Sequence, residues 1–88
     1  MVCNEDSANV LEAMRRTGNP ELHDQIVFFL RALAIEAGAA FDADKPLPGL
    51  PMGDGRYNVE VPRLPVLISY THYPGLREFR VTDLLWLG

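Results

Sequence analysis

Gly55-Arg56-Tyr57-Asn58-Val59-Glu60-Val61, then Val66-Leu67-Ile68-Ser69-Tyr70-Thr71-His72-Tyr73, then Phe79-Arg80-Val81-Thr82-Asp83-Leu84-Leu85-Trp86 is the passage that decides the fold. Tyr57, Val59 and Val61 alternate with Arg56, Asn58 and Glu60, the period of two that gives a strand one apolar and one polar face. Pro62-Arg63-Leu64-Pro65 supplies the first connection. The second strand, Val66 to Tyr73, opens with three apolar residues in a row, as a central strand buried at one end does. Pro74-Gly75 predicts a type II turn, with Pro setting the first central position and Gly taking the positive φ of the second. The third strand runs from Leu76 to about Leu87. In it Phe79 and Val81 oppose Glu78 and Arg80, and Asp83 interrupts the alternation, which predicts a bulge or a register change.

Upstream the period changes. A first helix is expected from Asp6 or Ser7, either of which can cap free amides, through Val10, Leu11 and Met14 to Thr17-Gly18. Asn19-Pro20 then offers a cap and a first-turn proline for a second helix from Pro20 to about Ala37, with Gly38 as its stop. Leu22, Ile26, Phe29, Leu30, Leu33 and Ala37 form its core stripe, while Phe28, Ala32 and Ile35 make a second ridge, so either the helix is covered on two sides or this ridge meets a partner. Lys45-Pro46-Leu47-Pro48-Gly49-Leu50-Pro51 reads as an extended loop ordered by Leu47 and Leu50. The expected fold is α+β, a helix pair packed on a three-stranded antiparallel meander, with residues 1–88 as one domain.

Hydrophobic residues make up 48% and charged residues 23% of the 88, a globular composition. The net charge of −4 is uneven: residues 1–44 hold three basic against eight acidic side chains, and residues 45–88 five against four. Unspecific nucleic-acid binding by the whole chain is disfavoured, although a local arginine cluster can still form a site. Met1 to Asp6 is short and acidic, lacks the pattern of a signal peptide and leaves little room for a strand, so a cytoplasmic protein is expected. Cys3 stands alone and cannot form an internal disulfide. Gly49 to Gly55 lacks the Gly-Lys-Ser/Thr of a phosphate-cradling loop, and neither Ser7 nor Ser69 has the context of an activated nucleophile. His23 and Asp24 are adjacent rather than a helical turn apart, so no metal and no cofactor is expected.

A helix pair, the loop Pro46-Leu47-Pro48-Gly49-Leu50, then Gly55 to Val61 and Val66 to Tyr70 resembles the RelE/ParE family of bacterial toxins. The resemblance spans about Ser7 to Trp86 and rests on order and spacing. It implies a small α+β toxin neutralised by a cognate antitoxin, acting on mRNA at the ribosome or on gyrase. Members of that family usually open with a β-strand ahead of the helix pair, and those that act on the ribosome tend to be basic.

Metal-independent RNA cleavage needs a proton-transfer group and cations for the phosphate. His72, the residue type that titrates near neutral pH, is the candidate for proton transfer, with Arg80 and Arg63 as catalytic cations. Arg56, Arg77 and Tyr73 are candidates for target binding, by phosphate contact and base stacking. Against this, a lone histidine beside a turn is most often an ordinary strand-end residue, and the arginines can simply pair with Glu60, Glu78 or Asp83. Phe28, Ile35 and Trp86 are the expected partner interface, for an antitoxin-like protein or a homodimer. The alternative function is a non-enzymatic interaction or dimerisation module of the same fold.

Overall fold

The computed structural model describes residues 1–76 and 78–87. In chain order these form β1 (Val2–Cys3), α1 (Glu5–Arg16), α2 (Pro20–Asp42), β2 (Leu50–Pro51), β3 (Arg56–Glu60), β4 (Val66–Tyr73) and β5 (Glu78–Trp86). The α+β class and the β3-β4-β5 meander stand as expected. The sheet, however, has five strands in the order β1-β5-β4-β3-β2 and is mixed, because β1 pairs parallel to β5 through Val2 with Arg80 and Cys3 with Val81. Two-residue edge strands carry no alternation for a period to reveal. β2, with Leu50 opposite Asn58 and Pro51 opposite Tyr57, sits at the outer edge, where proline is tolerated.

The first helix begins earlier than expected because Asn4 is its cap. Asn4 Oδ1 accepts the Ser7 N–H at 2.9 Å, while its Nδ2 donates to the Thr82 carbonyl at 2.8 Å, tying the helix start to β5. Ser7 is instead buried in the first turn. α1 ends as expected at Gly18, whose φ of 87° occupies the left-handed position, with the Asn19 N–H reaching back to the Met14 carbonyl.

The second helix does not stop at Gly38. Ala39 and Ala40 carry it on to Asp42, and the left-handed residue is Asp44 at φ 56°. Asp44 N–H donates to the Phe41 carbonyl and Lys45 N–H to the Ala40 carbonyl, the paired bonds that close a helix end in this geometry. Aspartate, with glycine and asparagine, is among the few residues that enter this region at small cost. The extra turn brings Phe41 over the sheet.

Both helices lie on one face of the sheet. Met14, Ile26, Leu30, Val61, Val66, Ile68, Val81 and Leu84 form the core between the layers, with Phe29 and Trp86 packed against it. The interruption at Asp83 is a bulge: Ser69 faces Asp83 while Tyr70 faces Val81, leaving Thr82 as the extra residue. It lets Val81 and Leu84, three apart, both reach the core.

Two local expectations need correction. Pro74–Leu76 forms a single turn of 3-10 helix, and Gly75 lies outside the left-handed region, so the turn is not type II. The type II turn lies one connection earlier: the Leu64 N–H bonds to the Val61 carbonyl, Pro62 takes the first central position and Arg63, at φ 66°, the second. Of the two residues expected to order the proline loop, Leu47 is half-buried, while Leu50 is exposed and does not contribute. Tyr70 Oη donates to the Pro48 carbonyl at 2.5 Å, and Gly49 lies flat against Val59, and these contacts hold the loop instead.

Candidate functional site

Pairing across the strands sorts the candidate residues by face. Arg56, Thr71 and Arg80 are opposite one another on β3, β4 and β5, and Val2 continues that row on β1. One step along the strands Tyr73 faces Glu78, and one step the other way Asn58 faces Ser69. Because side chains two apart share a face, all of these project from the side of the sheet that no helix covers. Val66, Ile68, Tyr70 and His72 occupy the other phase of β4 and point to the helices, as Phe79 and Val81 do on β5.

The open face carries the arginines. Arg80 Nη2 donates to Glu78 Oε2 at 2.9 Å, and its guanidinium carbon stands 5.3 Å from the centre of the Tyr73 ring, so the cation is held between a carboxylate and an aromatic face. Arg56 pairs with Asp54 at 2.8 Å, and that contact, led by the hydrogen bond from the Arg56 amide, holds the Asp54 carboxyl below its ordinary value. Ser69 Oγ donates to Asn58 Oδ1 at 2.5 Å and fixes the polar centre of the face. Thr71, between the two arginines, belongs to the same row. Its neighbours are identified only once the register is known.

His72 is on the other side. It stacks on its cross-strand partner Phe79 with ring centres 4.5 Å apart and 17° between planes, and Phe41 of α2 meets it at 4.6 Å and 70°. The expectation that His72 and Arg80 work in one catalytic site is therefore corrected, since the two occupy opposite faces of the sheet. The phase was readable: His72 follows Tyr70 by two residues, and Tyr70 follows Ile68 by two. The contact with Phe41 was not, because the helix was expected to end before it.

The remaining candidates separate further. Arg63 is exposed in the β3–β4 turn, held in a conformation that costs a non-glycine residue about 1–2 kcal/mol, and it lines a cleft of about 480 Å³ together with Phe28, Ala32 and Pro62. Phe28 and Ile35 are each 75% exposed on the outer side of α2, so of the two readings of this ridge, the chain itself does not cover it. Trp86 does not join it. Trp86 pairs with Val66 and packs half-buried against the core. Arg77 lies outside the described residues.

Burial bears on the reactivity of two groups, half-buried Cys3 and fully buried Tyr70. Burial pushes the Cys3 thiol up, against a smaller opposing pull from the N-terminal amine, which makes it a poor nucleophile. Burial, then the neighbouring Tyr57 and Glu36, raises the Tyr70 phenol, which stays neutral and serves as a donor to the loop. Among the described residues no three His, Cys, Asp or Glu side chains gather as metal ligands, and no helix is long and apolar enough to cross a membrane. Comparisons with protein-family models, with curated proteins and with solved structures gave no match.

Proposed function

We propose that this protein is a RelE/ParE-like component of a toxin–antitoxin module that acts by binding its target through the open face of the sheet, with the apolar ridge of α2 taken by its cognate partner. The observation that carries this reading is the row Arg56-Thr71-Arg80 with Tyr73, an aromatic and cationic strip on an uncovered sheet face. The order of elements supports it. Strand β1 precedes the helix pair, the proline loop follows, and the meander closes the sheet, which is the succession the family usually has.

Ribonuclease chemistry is the less favoured action within this reading. His72 and Arg80 are separated by the sheet itself, so a ribose 2′-hydroxyl held by one is out of hydrogen-bond reach of the other. A target held by contacts alone, as a protein such as gyrase would be, needs only the strip. Controlled expression in a bacterial host tests this. Growth arrest is expected, relieved by Arg56→Ala with Arg80→Ala and undiminished by His72→Ala. Loss of arrest on His72→Ala would return the protein to the ribonuclease branch.

A second reading, a non-enzymatic dimerisation module, is favoured by one observation: Phe28 and Ile35, two helical turns apart on α2, stand exposed with Ala32 between them. Harmless expression of a protein that sediments as a dimer, and as a monomer after Phe28→Glu, would select this reading.

A further inference from the structure

The C-terminal turn of α2 and the ends of β4 and β5 enclose a cleft of about 380 Å³ lined by Gly38, Phe41, Asp42, His72 and Phe79. It lies on the helix side of the sheet, away from the arginine strip. Its walls are aromatic on two sides: the Phe41 ring stands at 70° to His72, and His72 continues into Phe79 as a parallel stack. Gly38 contributes no side chain, and the space where a Cβ would stand is empty.

Three electrostatic features of this corner favour positive charge. The faces of aromatic rings are negative, and a cation within about 6 Å of a ring centre is attracted to them. Asp42 adds a carboxylate, and among the described residues no basic side chain pairs with it. Asp42 is also the last residue of a 23-residue helix whose final turn holds no basic residue, so the negative end of the helix dipole is not offset there. The arginines of the sheet project from the opposite face. A corner of two walls touches a rounded head on two sides, whereas a planar guanidinium is better matched by parallel surfaces.

We propose that this cleft binds an organic cation of the alkylammonium class, with its methylated head against Phe41 and the His72–Phe79 stack and its charge toward Asp42. The site stands independently of the toxin reading. The head can belong to a free small molecule or to a methylated lysine of a partner, and both offer the same chemistry.

Titration of the full chain by NMR with choline, and in parallel with 3,3-dimethylbutan-1-ol, its neutral isostere, separates charge from shape. Choline is expected to move the ring resonances of Phe41, His72 and Phe79 and to bind about five- to tenfold more tightly than the neutral compound. Phe41→Ala is expected to weaken choline about tenfold and Asp42→Asn several-fold, with unchanged circular dichroism, since both side chains are solvent-accessible at the helix end. A third arm with an N-acetyl-trimethyllysine amide identifies the source: tighter binding than choline points to a partner's side chain, and weaker binding to a free molecule. Equal binding of choline and its neutral isostere would overturn the proposal, as would ring resonances that stay still with every cation, or an affinity indifferent to both substitutions.

Discussion

Tyr70→Ala is expected to remove a large part of the stability of the fold and to lower its urea midpoint steeply. Tyr70 is fully buried at the centre of β4, stacked on Tyr57 with ring centres 5.4 Å apart and met edge-on by Phe79, while its hydroxyl holds the Pro48 carbonyl. Truncating a buried aromatic side chain costs about 3–5 kcal/mol. A domain of this length has roughly 4–13 kcal/mol in total, so the loss is a large part of the whole. Tyr70→Phe isolates the hydroxyl. It removes one hydrogen bond and leaves the Pro48 carbonyl to find water, at a cost of about 1–2 kcal/mol. Urea unfolding followed by circular dichroism measures both, and amide exchange in residues 43–50 should rise in Tyr70→Phe while the core of β4 stays protected. A Tyr70→Ala protein with a wild-type urea midpoint would mean that the tyrosine stack is not central to the fold.

Gly49→Ala is expected to be nearly as damaging, for a different reason. Gly49 has φ 103°, where an L side chain is strained by about 1–2 kcal/mol. A Cβ built there would also lie 2.7 Å from Val59 Cγ2 and 2.8 Å from the Asn58 carbonyl oxygen. Shifting a packed neighbour adds about 1–3 kcal/mol. The double variant Gly49→Ala, Val59→Ala distinguishes the two contacts: the side-chain clash is relieved and the backbone clash is not, so the second substitution should recover only part of the lost stability. Full recovery in that cycle would show that the proline loop lies farther from β3 than described.

These two residues show where the sequence was informative. The alternation of Tyr57, Val59 and Val61, and of Phe79 and Val81, was legible, and it placed the core face of the meander with Arg56 and Arg80 opposite it. So was the bulge at Asp83, because strict alternation would drive that carboxylate into the core, where an unpaired charge is costly. What could not be read depends on contacts distant in sequence. β1 exists because Val2 and Cys3 meet β5 across nearly the whole chain, and two residues have no period. The end of α2 was misplaced because glycine is the usual left-handed terminator, whereas here Asp44 takes that position and Gly38 stays helical.

The candidate site divided along the same line. Residue types pointed to His72 and Arg80 together, since proton transfer and phosphate binding both suit RNA cleavage. Strand phase sets them apart, because His72 lies two residues after Tyr70, which is buried in the core. Arg80, Arg56 and Tyr73 remain together because they share the opposite phase, and Thr71 joins them only through the register of β3, β4 and β5. The aromatic corner at Phe41 required the longer helix before it could be seen at all.

The division of the sheet into a histidine side and an arginine side is the claim on which the functional reading rests. A nuclear Overhauser spectrum of the wild-type chain tests it most directly. Cross-peaks from the His72 ring protons to the rings of Phe41 and Phe79, with none to the Arg80 side chain, are the predicted result. Cross-peaks joining the His72 ring to the Arg80 side chain would place the two on one face and contradict the account.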